Sequence, residues 1–211
     1  MIVYVMRHAE AVEGTDTLQD EWRYLTEKGR SAAEKMSSSI AKFGPKPRLT
    51  VASPLTRAVQ TAEIVAEKAC RKNIIVTSGL LLPGADATDL VTYLKECKEC
   101  KEAKRVLLVG HEPQLGSLVA ALLGRDDQTI SLKKGACVAL ELDPEKNEKA
   151  ADFLWFILNP AFGMARFSRD HIPWHKHWML GMPTDYLTYM LLGGLLLTWS
   201  YLGREKSVVS Y

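Results

Sequence analysis

The chain has 211 residues and a formal net charge of +2, from 27 Lys and Arg against 25 Asp and Glu. That length suits one α/β domain with an appendix, and the near balance of charge excludes the basic field of a nucleic-acid-binding protein. Cys70, Cys97, Cys100 and Cys137 are too few and too scattered for a disulfide framework, and the apolar stretch 1–6 is too short for a secretory signal. The expectation is a reducing, cytoplasmic location.

Through residue 160, short β-branched or aliphatic runs alternate with amphipathic stretches. Strands are predicted at 2–6, 49–52, 74–77, 106–109, 137–142 and 153–158, and helices at 26–43, 54–72, 88–100 and 113–123. The alternation predicts an α/β fold with a mostly parallel central sheet and helices on both faces. Ser53 is expected to cap a helix with Pro54 at its first position, while Gly44 and Gly124 suit left-handed C-terminal turns. Cys97-Lys98-Glu99-Cys100 has no second pair at ligand spacing and falls at the charged end of a helix, so it reads as structural.

Residues 1–160 form the expected catalytic domain, and the character changes after it. Residues 161–185 make an aromatic and basic connector, in which Pro173 keeps His171, His175 and His177 from sharing a simple helical face. These histidines read as loop or interfacial residues. Residues 186–203 carry no formal charge and, as a helix, would extend about 27 Å. Two readings stay open for this hydrophobic helix: an anchor in the cytoplasmic membrane, or a helix packed on the domain or on a second copy. Residues 204–211 form a short tail.

Three strand ends hold the chemistry. Arg7-His8 ends the first strand; Ser53-Pro54-Leu55-Thr56-Arg57 joins the second to a helix; Gly110-His111-Glu112-Pro113 follows an aliphatic strand. Ligands of open α/β sheets bind beyond such ends, where helix N-termini also favour anions. Two arginines match phosphate oxygens in fork geometry and would repel a cation. His8 and His111 alone fall short of a zinc set, no G-x-S-x-G marks a serine nucleophile, and no Walker loop is present.

Arg7-His8-Ala9-Glu10-Ala11, Leu25-Thr26-Glu27-Lys28-Gly29-Arg30, Ser53-Pro54-Leu55-Thr56-Arg57-Ala58 with Gln60-Thr61-Ala62, and Gly110-His111-Glu112-Pro113 resemble, in order and spacing, the SixA-type phosphohistidine phosphatases of the histidine phosphatase superfamily. The resemblance covers residues 1–160 and implies a phosphoglycerate mutase-like fold. It implies that His8 is the nucleophile, transiently phosphorylated, and that Arg7, Arg57 and His111 bind and neutralise the phosphoryl oxygens, with Ser53 beside them. It implies no metal and no cofactor. Its expected partners are phosphate and a phosphohistidine-bearing signalling or phosphotransfer protein.

Larger members of that superfamily carry a carboxylic acid after the third strand, whereas this chain reads Gly79-Leu80-Leu81-Leu82-Pro83-Gly84-Ala85 there. Asp86, Glu10 and Glu112 are the nearest carboxylates in sequence, each a weak candidate acid. A missing acid suits an imidazole leaving group better than an alkoxide. Two rival readings remain: a broad-specificity small-molecule phosphomonoesterase, and a membrane-tethered phosphate-binding adaptor without turnover. The absence of inserted lid segments argues against a mutase.

Overall fold

The computed structural model describes residues 1–70, 75–125, 130–146, 150–158 and 166–168. Among the described residues seven strands form one sheet: β1 (Ile2–Arg7), β2 (Leu49–Ala52), β3 (Ile75–Thr77), β4 (Arg105–Gly110), β5 (Cys137–Leu142), β6 (Ala151–Ile157) and β7 (Arg166–Ser168). Their order is β3-β2-β4-β1-β5-β6-β7. The first four of that order run parallel, and the pairings from β1 through β5 and β6 to β7 are antiparallel. The α/β class is as expected, and the sheet is mixed: the parallel block β3-β2-β4-β1 is continued by antiparallel strands on one side. Short connections from β5 onward let successive strands turn back beside each other, whereas parallel neighbours need helical crossovers.

Side chains of β1 alternate between two apolar layers, as the period of two requires. Val3 and Val5 pack with Leu90 and Leu94 of α3 (Ala87–Glu96), Cys100 of α4 (Lys98–Ala103) and Leu115 and Leu118 of α5 (Gln114–Leu122). Tyr4 and Met6 pack on the other face with Met36 and Ile40 of α1 (Glu27–Phe43) and with Ala58, Ala62 and Val65 of α2 (Thr56–Ala69). With both faces covered, the central strands are nearly continuous apolar runs, which is why they were legible.

Several local expectations change. The predicted helix 88–100 is two helices, because Cys97 leaves helical geometry (φ −59°, ψ 116°) and its Sγ accepts the Cys100 N–H at 3.3 Å, restarting the chain as α4. Helix α2 begins at Thr56 rather than Pro54, and Ser53 is not its cap. Gly124 does take a left-handed conformation (φ 66°), but Gly44 is extended (φ −150°). A Cβ at Gly44 would fall within contact of the Tyr4 hydroxyl, so close approach accounts for this glycine and a left-handed turn does not.

The sheet also continues past residue 160, since β7 pairs with β6 through Trp155 and Ser168. The run 186–203, the histidines His171, His175 and His177, and the tail 204–211 lie outside the described residues. Among the described residues no helix is long and apolar enough to cross a membrane.

Candidate active site

Parallel register brings three strand ends level. Arg7 lies opposite Gly110, and Ala52 opposite Val109, so the residues that follow emerge side by side. The His8 N–H donates to Gly110 O at 3.0 Å and the Ser53 N–H to Val109 O at 2.9 Å, extending the ladder into the site itself. The His8 and His111 rings then stand 4.9 Å apart between centroids, tilted by 54°.

His8 is only 6% exposed. Its Nδ1 lies 2.7 Å from Ala9 O. A carbonyl can only accept, so Nδ1 carries the proton and Nε2 keeps its lone pair. Burial lowers the His8 pKa to about 3; the Ala9 carbonyl opposes this, and the charges of Arg57 and Arg7 reinforce it. The ring is therefore neutral at pH 7. Burial and the Arg57 charge likewise lower His111 to about 4, with Asp20 opposing. His111 Nε2 is 2.9 Å from Ser53 Oγ, which fixes the imidazole and gives that buried serine a partner.

Thr61 ties α2 to the His8 loop: its Oγ1 accepts the Ala9 N–H at 3.1 Å and donates to Arg57 O at 2.7 Å. Gln60 Oε1 accepts the Leu25 N–H at 2.8 Å. At Gly29 a Cβ would lie 2.0 Å from Glu10 O, so only glycine lets α1 pack against the loop after β1. The short motifs of the sequence are thus the joints of one pocket.

Arg57 is 5% exposed, yet its guanidinium is not idle: Nη1 donates to Asp20 O at 2.6 Å and Nη2 to Asp20 Oδ2 at 2.9 Å. Arg7 donates from Nη1 to Leu132 O at 2.8 Å, and among the described residues its Nε has no partner. The Leu132 N–H in turn donates to Glu112 Oε1 at 3.1 Å. Burial raises the Glu112 pKa to about 7 against the opposing Leu132 N–H and Arg7. Glu112 thus sits behind Arg7, bonded to backbone.

The structure brings Arg7, His8, Ser53, Arg57 and His111 together. It ties the other two carboxylates elsewhere: Glu10 bonds Thr26 Oγ1 and Lys28 Nζ at the start of α1, and Asp86 caps α3 by accepting the Thr88 N–H at 2.8 Å. Asp20 and the Leu132 carbonyl were not anticipated. Asp20 shares its loop with Glu13, Asp16 and Glu21, and nothing in the local sequence separates them.

Two fixed guanidiniums, a neutral imidazole with a free lone pair, and a second imidazole converging on one buried spot can bind an oxyanion and attack it. The family model of the histidine phosphatase superfamily (branch 1) matches residues 3–81. An uncharacterised protein of Picosynechococcus sp. is 30% identical over 159 residues, which are 75% of this chain and 95% of that protein. A structure of the protein histidine phosphatase SixA complexed with tungstate matches with a TM-score of 0.67 and 25% identity, over 77% of this chain and 99% of its own. The alpha-ribazole phosphatase from Shigella flexneri shares the fold at a TM-score of 0.56 and 17% identity, over 76% and 97% of the two chains. The chain belongs to the histidine phosphatase superfamily, a family of phosphatases.

Proposed function

We propose that the chain hydrolyses phosphohistidine on a protein through a covalent phospho-His8 intermediate. The observation that carries this reading is the His8 ring, neutral and held through Nδ1 by the Ala9 carbonyl so that Nε2 presents its lone pair among Arg7, Arg57 and His111. Nε2 attacks phosphorus, the P–N bond of the substrate breaks, and its imidazole, already protonated on the other ring nitrogen, departs as the neutral ring, leaving phospho-His8 with its proton on Nδ1. Water then attacks phospho-His8, the P–Nε2 bond breaks, and phosphate leaves with the oxygen of water, its proton passing to solvent. Arg7 and Arg57 stabilise charge on the transferring group, where phosphoryl transfer gains most from positioning and electrostatics.

The substrate class rests on the leaving group. The segment after β3 offers no carboxylate before Asp86, which is engaged as a helix cap. The tungstate-bound SixA relative supports an oxyanion pocket of this kind. One observation favours a second reading, small-molecule phosphomonoesterase activity: Asp20 puts a carboxylate beside Arg57. Burial raises its pKa, but bonds from Arg23 and Arg57 outweigh this and hold it below the ordinary value. At neutral pH it is an anion and a poor proton donor for an alkoxide.

The test is phosphate release by the full chain from a phosphohistidine-bearing protein and from a panel of phosphomonoesters. Preference for phosphohistidine supports the proposal; preference for monoesters overturns it in favour of the second reading.

A further inference from the structure

The loop that supplies Asp20 also carries the two most exposed aromatic side chains among the described residues. Trp22 is 64% exposed and Tyr24 50%. A tryptophan left that open has unburied apolar area that a monomer gains nothing by displaying, and Trp and Tyr dominate the energetics of protein contacts. Asp20 and Trp22 begin and end one 3-10 turn, a rise of only about 4 Å, and Asp20 touches Arg57. The aromatics therefore belong to the loop segment that reaches the catalytic pocket through Asp20.

Their backbone is fixed in advance. The Trp22 N–H donates to Gln19 O at 3.1 Å, Arg23 donates from Nε to Val12 O at 2.7 Å and from Nη1 to Asp20 Oδ1 at 2.9 Å, and Tyr24 O accepts the Val12 N–H at 2.9 Å. Leu25, next in the chain, is buried. Such a platform loses little entropy when a partner lands on it.

Charge selects the occupant. Glu13, Asp16 and Glu21 are exposed on the same loop as the pair, as is Asp20, whose carboxylate is shared by Arg23 and Arg57. This rim repels an anionic bilayer and attracts a basic protein face. We infer that Trp22 and Tyr24, within their acidic rim, form the docking surface for the phosphohistidine-bearing protein, gripping a basic face beside the phosphorylated histidine while Arg7 and Arg57 take its phosphoryl group. This deepens the phosphohistidine reading and rests on it.

The experiment uses the full chain as wild type, Trp22→Ala, Trp22→Ala with Tyr24→Ala, and Glu21→Lys. Each is given two donors: a histidine phosphotransfer domain phosphorylated with phosphoramidate, and free phosphohistidine. Expected is a fall of tenfold or more in kcat/KM on the domain for the double variant, carried by KM, with free phosphohistidine hydrolysed within twofold of wild type. Glu21→Lys is expected to raise KM for the domain at low salt and not at high salt. An equal fall on both donors would make the aromatics mere supports of the pocket and overturn the inference, as would an unchanged rate on the domain. Loss of binding to phosphatidylglycerol vesicles with domain hydrolysis unchanged would assign the patch to lipid instead. Wild type that hydrolyses p-nitrophenyl phosphate and neither phosphohistidine donor would sink the underlying reading by itself, before any variant is compared.

Discussion

Asp20 holds Arg57 through two bonds, one from its side chain at 2.9 Å and one from its backbone carbonyl at 2.6 Å, so a phosphoryl oxygen reaching this guanidinium shares it with a carboxylate. Asp20→Asn keeps an oxygen acceptor for Arg57 and removes the negative charge. Because the Asp20 side chain is 57% exposed, the gain is modest: phosphate affinity rises roughly two- to fivefold, as expected of a screened pair. Calorimetric titration with inorganic phosphate checks this, and weaker binding would show that Asp20 chiefly orders Arg57.

Glu112 supports Arg7 at one remove, through the two backbone groups of Leu132. Glu112→Ala leaves the buried Leu132 N–H without its acceptor at about 1 to 3 kcal/mol, and frees the carbonyl that holds Arg7. A lower kcat and a lower Tm are expected, with much of both restored in Glu112→Gln, which keeps the acceptor. Equal loss in the two variants would mean that the charge of Glu112 is what matters.

Stability should fall as the solution is acidified from pH 6.5. His8 and His111 stay neutral when folded, with pKa values of about 3 and about 4, whereas the unfolded chain protonates them below 6.5. Each loses about 1.4 kcal/mol per pH unit below that value. Glu112 acts the other way between 4.5 and about 7, because its folded form keeps a proton that the unfolded chain has released, so its contribution is lost as pH rises. Two groups against one leave a net loss of about 1 to 2 kcal/mol between pH 6.5 and 5. Urea midpoints at the two pH values should show this in wild type and a much flatter response in His8→Asn.

The β7 pairing changes where a truncation is safe. Ending the chain after residue 170 keeps β7 beside β6, while ending it at 160 strips that strand and leaves the outer edge of Trp155–Ile157 unpaired, its other edge still held by β5. The longer fragment is expected to keep the higher Tm and the greater solubility. Identical melting of the two would show that β7 adds nothing.

The parts of the site that the sequence reveals are those built from contiguous residues at strand ends, where an apolar run stops and Arg7-His8, Ser53 or Gly110-His111 follows. There, strand register alone brings distant residues together. Asp20 and Leu132 escape such reading because their loops have no period and one contributes only a backbone carbonyl. The restart of the helix at Cys97 is set by a thiol cap that propensity does not encode, and Gly44 answers to the approach of Tyr4, a contact between segments that are distant in sequence. The antiparallel edge is less legible for a related reason: alternating strands and helices imply parallel crossovers, whereas β5, β6 and β7 follow one another after short connections.

The most direct measurement is a rapid-quench experiment with a histidine phosphotransfer domain carrying labelled phosphate, stopped in alkali and followed by peptide mapping. The account predicts transient label on His8, stable to base and lost in acid, and no labelled enzyme with His8→Ala, whose turnover falls by at least about a thousandfold. Turnover without any labelled enzyme, or label and hydrolysis that persist in His8→Ala, would contradict it.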